Sequence, residues 1–163
     1  MSVESVKAYL KQWNKDAEVR ELSESCATVD LAASALGVIP ARIAKSISFE
    51  SPNPDTCILI VTAGDSKIHG GSFKKQFGLK ASMLSPEKTL ALTGHAVGGV
   101  CPFGLNKNKV EVYLDESLKR FDTVFPACGS SNSLIELSLE ELFLYSQAKA
   151  WVSVCKGWQE TVI

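Results

Sequence analysis

A chain of 163 residues with a formal net charge of −1 and a sequence pI of about 6.1 has no bulk positive field, so any contact with nucleic acid must be local. Its 45% hydrophobic and 21% charged residues suit a globular protein, and the length predicts a single domain over residues 1–163. Five scattered cysteines without a Cys-x-x-Cys pair argue against a disulfide framework or a zinc site, and Glu4, Lys7, Lys11 and Lys15 interrupt the N-terminal segment; the expectation is a cytoplasmic protein with no metal and no membrane span.

Residues 2–16 read as an amphipathic helix capped by Ser2, with Val6, Tyr9, Leu10 and Trp13 on one side. A short strand is expected around residues 18–22. Thr28 is the next N-cap; Leu31, Ala32, Ala35 and Leu36 form an apolar stripe, and Gly37 suits the stop. Pro40 begins one further turn. Residues 42–49 alternate as a strand, residues 51–55 form a turn, and the continuous β-branched run 57–62 reads as a central strand that pairs back as a hairpin. Gly70 opens a helix with Phe73 and Phe77 inside and Lys74 and Lys75 outside, stopped by Gly78. Ser85 and Pro86 open another that gives out near Gly94. Residues 110–114 and 134–137 read as strands, 117–120 as a helical turn, and Ser138 with Glu141 as the capping box of a last helix. A final short strand is expected over residues 151–154. Helices mixed with hairpin-like strands indicate an α+β fold rather than regular βαβ winding.

Alternation over residues 42–49 singles out Lys45. Ile43, Ile47 and Phe49 share one face and Lys45 falls with them, whereas Arg42, Ala44, Ser46 and Ser48 fall on the other. An unpaired ammonium is costly to desolvate. A lysine directed with its isoleucine neighbours therefore marks a pocket for an anionic or strongly polar group, or else snorkels to water from a frayed strand end.

Two small-residue runs supply further candidates. Gly98, Gly99, Val100, Cys101 and Pro102 form a loop whose glycines uncover backbone amides and whose proline stiffens the exit. Such N–H groups matter most where negative charge develops in acyl transfer, although a structural turn explains the same residues. Gly129, Ser130, Ser131 and Asn132 place small polar groups between two strands, a usual place for substrate contacts and equally for an ordinary turn. His69 and His95 are the only histidines, and neither has the spacing of a catalytic triad or a metal site. No glycine–lysine run has phosphate-loop spacing. Cys101 with His95 six residues earlier could pair as thiol nucleophile and base, with no third orienting group in evidence.

Taken together, Lys45 in a strand after the segment opened by Thr28, then the run from Gly98 through Pro102 to Gly104, then Gly129 to Asn132 ahead of a strand, span nearly the whole chain. In this order they resemble the YbaK/ProX family of aminoacyl-tRNA deacylases, related to the editing domain inserted in bacterial prolyl-tRNA synthetases. The lysine and the Gly-x-x-x-Pro loop are the specific parts, the serine-rich turn less so. The resemblance implies a curved mixed β-sheet or pseudo-barrel surrounded by helices. It implies hydrolysis of the ester joining a wrongly attached amino acid to the terminal adenosine of tRNA. Lys45 would contact the substrate end, and the 98–102 backbone would lie near the aminoacyl ester. Water would be activated largely with a ribose hydroxyl of the substrate, so neither a cofactor nor a protein base is required.

Ala44, Ser46, Gly99 and Ser130 suit a size-limited pocket, with His95, Gly129, Ser131 and Asn132 as further substrate contacts. Such a pocket serves a real need, because one methylene gives a synthetase only ~1–3 kcal/mol of discrimination. The implied partners are the acceptor end of mischarged tRNA, with Lys74, Lys75 and Lys80 as candidate stem contacts, and an aminoacyl-tRNA synthetase that supplies tRNA choice; DNA and membranes are not expected. The alternative is a non-catalytic tRNA- or synthetase-binding module on the same fold. Cys101 departs from the resemblance, which leads to a small residue such as serine or threonine there; it leaves the released amino acid open and a thiol mechanism in play.

Overall fold

The structure, a computed structural model, describes residues 2–158 of the chain. Its helices are α1 (Val3–Leu10), α2 (Val29–Leu36), α3 (Gly70–Phe77), α4 (Pro86–Thr93) and α5 (Leu139–Ser146). Its strands are β1 (Arg20–Glu21), β2 (Ile43–Glu50), β3 (Cys57–Ala63), β4 (Lys67–Ile68), β5 (Val110–Asp115), β6 (Thr123–Pro126), β7 (Ser133–Leu134), β8 (Leu137–Ser138), β9 (Ala150–Val152) and β10 (Cys155–Lys156). The helix starts follow their caps. The Thr28 hydroxyl accepts from Leu31 N at 3.2 Å, the Ser85 hydroxyl from Lys88 N at 3.2 Å, and Ser138 exchanges hydrogen bonds with Glu141 in a capping box. Helices α2 and α4 stop where Gly37 and Gly94 take φ of 69° and 76°, a left-handed conformation that costs glycine little. The helix expected over residues 2–16 is α only to Leu10 and tightens into a 3₁₀ turn through Trp13.

Strand β3 is buried along its whole length and is the centre of the fold. Leu59, Val61 and Ala63 face a core that includes Leu10, Phe103, Leu114 and Leu142, while Ile58 and Ile60 face Phe49, Phe73 and Val154. Each such side chain withdrawn from water is worth about 1.5–3 kcal/mol, so the strand is held from both sides. Around it the main sheet runs β8-β6-β2-β3-β5-β9 and curls into a half-barrel, giving the mixed α+β architecture. Strands β2 and β3 form the expected antiparallel hairpin, in register from Ala44 opposite Ala63 to Glu50 opposite Cys57. Strands β5 and β9 extend the sheet in parallel on the far side.

Two parts of the sheet differ from the sequence reading. Residues 134–137 are not one strand: β7 pairs with β1 and β8 with β6, and Ile135 and Glu136 turn the corner between them. Strand β6, too short and proline-ended to register as a strand by pattern, lies parallel to β2 and touches it only at Ile43 and Ala44. That brief contact positions the site, because β2 continues beyond it with an uncovered edge. No helix among the described residues is long and apolar enough to cross a membrane.

Candidate active site

Past Ala44, strand β2 regains a partner on its outer edge only where Leu84 N donates to Ser48 O (3.1 Å) and Glu50 N donates to Ser82 O (2.8 Å). Backbone groups of alternate residues point to the same edge of a strand. Ser46 therefore turns its own N–H and C=O into the gap between β6 and the 82–84 segment. A cavity of about 250 Å³ occupies this gap. It is smaller than the roughly 300–1,000 Å³ of sites for drug-sized ligands, a size suited to a small chemical group. One wall is residues 43–48, a second the start of α2 around Ala27 and Thr28, a third Gly98 and Val100, and a fourth Met83 and Leu84. The Ser46 hydroxyl is covered and has no hydrogen-bond partner.

Lys45 lines the same cavity from the other side of the strand edge. Its ammonium donates to Ser66 O at 2.5 Å and to Gly64 O at 3.4 Å. Two carbonyl acceptors leave the third N–H for a ligand. Burial pulls the Lys45 pKa below its usual 10.5, nearby Cys155 and Asp65 counter that pull, and Lys67 adds to it. The turn carrying the two carbonyls is braced three ways. The Ser66 hydroxyl donates to Ala63 O at 2.7 Å. The Asp65 carboxylate accepts two hydrogen bonds from the Arg120 guanidinium, at 2.6 and 2.9 Å. A Cβ on Gly64 would lie 2.2 Å from Pro40 O, so only glycine fits there.

The glycine loop is fixed just as closely. Gly98 takes φ of 98°, and a Cβ on Gly99 would lie 3.0 Å from the backbone of both Gly129 and Ser130. Two loops stack backbone to backbone because neither side chain intervenes. The 129–132 turn spends its polar groups on the fold. Cys26 N donates to Ser131 O (2.5 Å), Leu22 N to Asn132 O (2.8 Å), the Asn132 amide to Leu22 O (2.8 Å), and the Ser130 hydroxyl pairs with Ser133 at 2.6 Å.

His95 and Cys101 meet behind the loop. Cys101 Sγ lies 3.4 Å from His95 Nε2, both residues are 0% exposed, and neither lines the cavity. His95 Nε2 is 3.1 Å from Phe103 O, and Nδ1 has no partner. A carbonyl only accepts, so Nε2 carries the proton and cannot take one from the thiol. Burial pushes the Cys101 thiol up to about 12 and lowers the His95 pKa. A buried, protonated thiol beside a neutral imidazole with its donor facing a carbonyl is packing, not a nucleophile and base.

Of the residues singled out by sequence, the fold brings Ala44, Lys45, Ser46, Gly98 and Val100 to the cavity wall. Gly99, Cys101, His95 and the 129–132 turn are not part of the lining, with exposed Ser131 next to Gly98, and Pro102 lines a separate small cavity with Tyr9 and Leu105. Ala27, Thr28, Ala32, Met83, Leu84 and Val97 are among the other lining residues. Thr28 was visible in the sequence only as a helix cap, and the others carry no signal beyond being apolar.

A curled mixed sheet with a lysine and a glycine loop facing one small cavity defines an editing-domain fold. Residues 23–144 match the aminoacyl-tRNA editing domain, and the chain belongs to that family. Over 159 residues it is 54% identical to the uncharacterized protein YwhH of Bacillus subtilis (strain 168), covering 98% of this chain and 100% of that one. A crystal structure described as a proposed trans-editing enzyme for prolyl tRNA synthetase superposes at a TM-score of 0.83 and 28% identity, over 95% of this chain and 97% of its own. That of hypothetical protein APE2540 does so at 0.77 and 26%, over 91% and 99%.

Proposed function

We propose that the protein is a cytoplasmic trans-editing deacylase that hydrolyses the ester of mischarged aminoacyl-tRNA and releases a small non-cognate amino acid. The observation that carries this reading is the convergence of Lys45, the free edge of β2 at Ser46 and the Gly98 loop on one cavity of about 250 Å³. The apolar walls take the amino-acid side chain and exclude larger ones by volume. Attack of water on the ester carbonyl puts negative charge on its oxygen, which needs donors already in place. Gly99 N–H is occupied, donating to Ala96 O at 3.0 Å, so the cavity-lining Gly98 and Val100 amides are the backbone candidates. Lys45 holds the ribose or ester end with its remaining N–H. The proton is taken up with the help of a ribose hydroxyl of the substrate, a route that asks for no protein base. The protein acts on the acceptor end of tRNA, with a synthetase supplying further tRNA choice.

The test is release of amino acid from tRNA charged with alanine, serine, threonine or cysteine. Wild-type protein is expected to clear at least one of them, and Lys45→Ala to slow that reaction by about 10²-fold, the scale on which a lost charge-stabilising donor acts. Equal rates for the two proteins would overturn the reading. Binding of tRNA with no turnover of any charged form would assign the chain as a binding module instead.

A further inference from the structure

Near-zero net charge conceals a place where two lysines face each other across a strand pair. The antiparallel pair β4 and β10 sets Lys67 directly opposite Lys156, and both side chains are exposed. Like charges facing each other across a two-stranded ladder repel. Lys7, Lys15, Lys88, Lys119, Lys149, Arg20, Arg42 and Arg120 each reach a carboxylate; Lys11, Lys80, Lys107 and Lys109 have no ion pair among the described residues, but none of them faces another lysine across a strand pair. Lys67 and Lys156 form no ion pair among the described residues. Helix α3 starts two residues after β4, has no acid in its first turn, and shows exposed Lys74 and Lys75 in its last.

The position of this patch is as informative as its charge. Lys67 follows directly on the 63–66 turn whose carbonyls hold Lys45, and it is near enough to Lys45 to disfavour a proton there. The patch thus adjoins the turn that holds Lys45, a residue of the cavity wall. Its chemistry also selects a partner. Lysine is depleted at protein–protein interfaces, where aromatic residues and arginine anchor contacts, but serves well as a point charge for phosphate. Phosphate neutralisation by a few lysines supplies affinity without sequence reading.

We propose that Lys67 and Lys156, continued by Lys74 and Lys75, bind the backbone phosphates of the acceptor stem of the tRNA whose 3′ end enters the cavity beside Lys45. This rests on the deacylase reading for the identity of the RNA. It explains how a chain of net charge −1 holds a polyanion: a local cluster of lysines without ion pairs among the described residues does so.

The experiment compares wild type with Lys67→Glu/Lys156→Glu and with the milder Lys67→Gln/Lys156→Gln. Binding of uncharged tRNA is followed by fluorescence anisotropy over a range of KCl, and thermal melts report the fold. Each phosphate contact removed lowers the slope of log affinity against log salt by about one, so both double variants are expected to lose about two. Affinity at moderate salt should fall at least tenfold, with the melting temperature of the glutamine variant at or above wild type because the repulsion is gone. An unchanged slope in a folded glutamine variant would overturn the proposal, and so would loss of binding to a synthetase with tRNA binding intact. If the slope falls as expected while wild type hydrolyses no charged tRNA, the patch stands and the deacylase reading fails.

Discussion

Cys101 bears on both chemistry and stability. Its thiol is fully covered and its pKa is pushed up to about 12, so thiolate is scarce near neutrality and an alkylating reagent has no path to it. Treatment with iodoacetamide at pH 8 should leave deacylation unchanged, and inactivation traced to modified Cys101 would contradict this placement. The same burial predicts alkaline sensitivity. A group whose folded pKa lies above its unfolded value adds stability below the unfolded value and loses it as pH rises through the folded one. Cys57 (about 11), Cys101 and Cys155 (both about 12) and the likewise raised Cys128 all act in this sense from their usual 9.0. Lys45, lowered from 10.5, acts oppositely, but Cys26, Tyr9, Tyr113 and Tyr145 are raised by burial as well and add to the four thiols. The melting temperature should therefore fall as pH climbs above about 9. Cys101→Ala should show a shallower fall, measured by circular dichroism melts from pH 7 to 11; an equally steep one would show that another group drives the transition.

The elements that shape the site are stacked loops and an interrupted strand edge. Gly99→Ala would drive a Cβ to 3.0 Å from the backbone of Gly129 and Ser130, with no flexible side chain to give way. The two loops must part, and shifting the Gly98 and Val100 amides should lower kcat by about tenfold or more while the fold survives. A wild-type kcat with a normal melting temperature would show that the loop spacing is not critical. Part of this arrangement was legible in the sequence. Alternation over residues 42–49 placed Lys45 with Ile47 and Phe49, and the caps at Thr28, Ser85 and Ser138 set three helices. What alternation could not supply was the acceptor for the ammonium, since the Gly64 and Ser66 carbonyls come near only once the hairpin register is set. Nor could it show that the serine-rich turn packs against the glycine loop and is tied down by hydrogen bonds to Leu22 and Cys26, over a hundred residues away.

At the scale of the molecule, the cavity exists because β6 leaves β2 after Ala44 and the 82–84 segment rejoins it only at Ser48. No local pattern encodes such a gap; it follows from how the half-barrel closes. Arg120 ties that closure to Lys45. It holds Asp65 with both partners' side chains less than a fifth exposed, donates to Ser117 O and Trp158 O, and lies over the Phe121 and Trp158 rings. Removing one side of so covered a pair strands the other, so Arg120→Ala should cost about 3 kcal/mol in urea unfolding, and a change under about 0.5 kcal/mol would place the pair among ordinary surface contacts.

The central claim is that the gap beside β2 receives the esterified end of the tRNA. Backbone amide NMR with a non-hydrolysable 3′-aminoacylamido adenosine measures this most directly. The account predicts that the largest shifts fall on Ser46, Gly98 and Val100, with the Lys45 ammonium signal moving as well and all of these changes lost together in Lys45→Ala. Shifts gathered on another surface, or none at millimolar ligand, would contradict it.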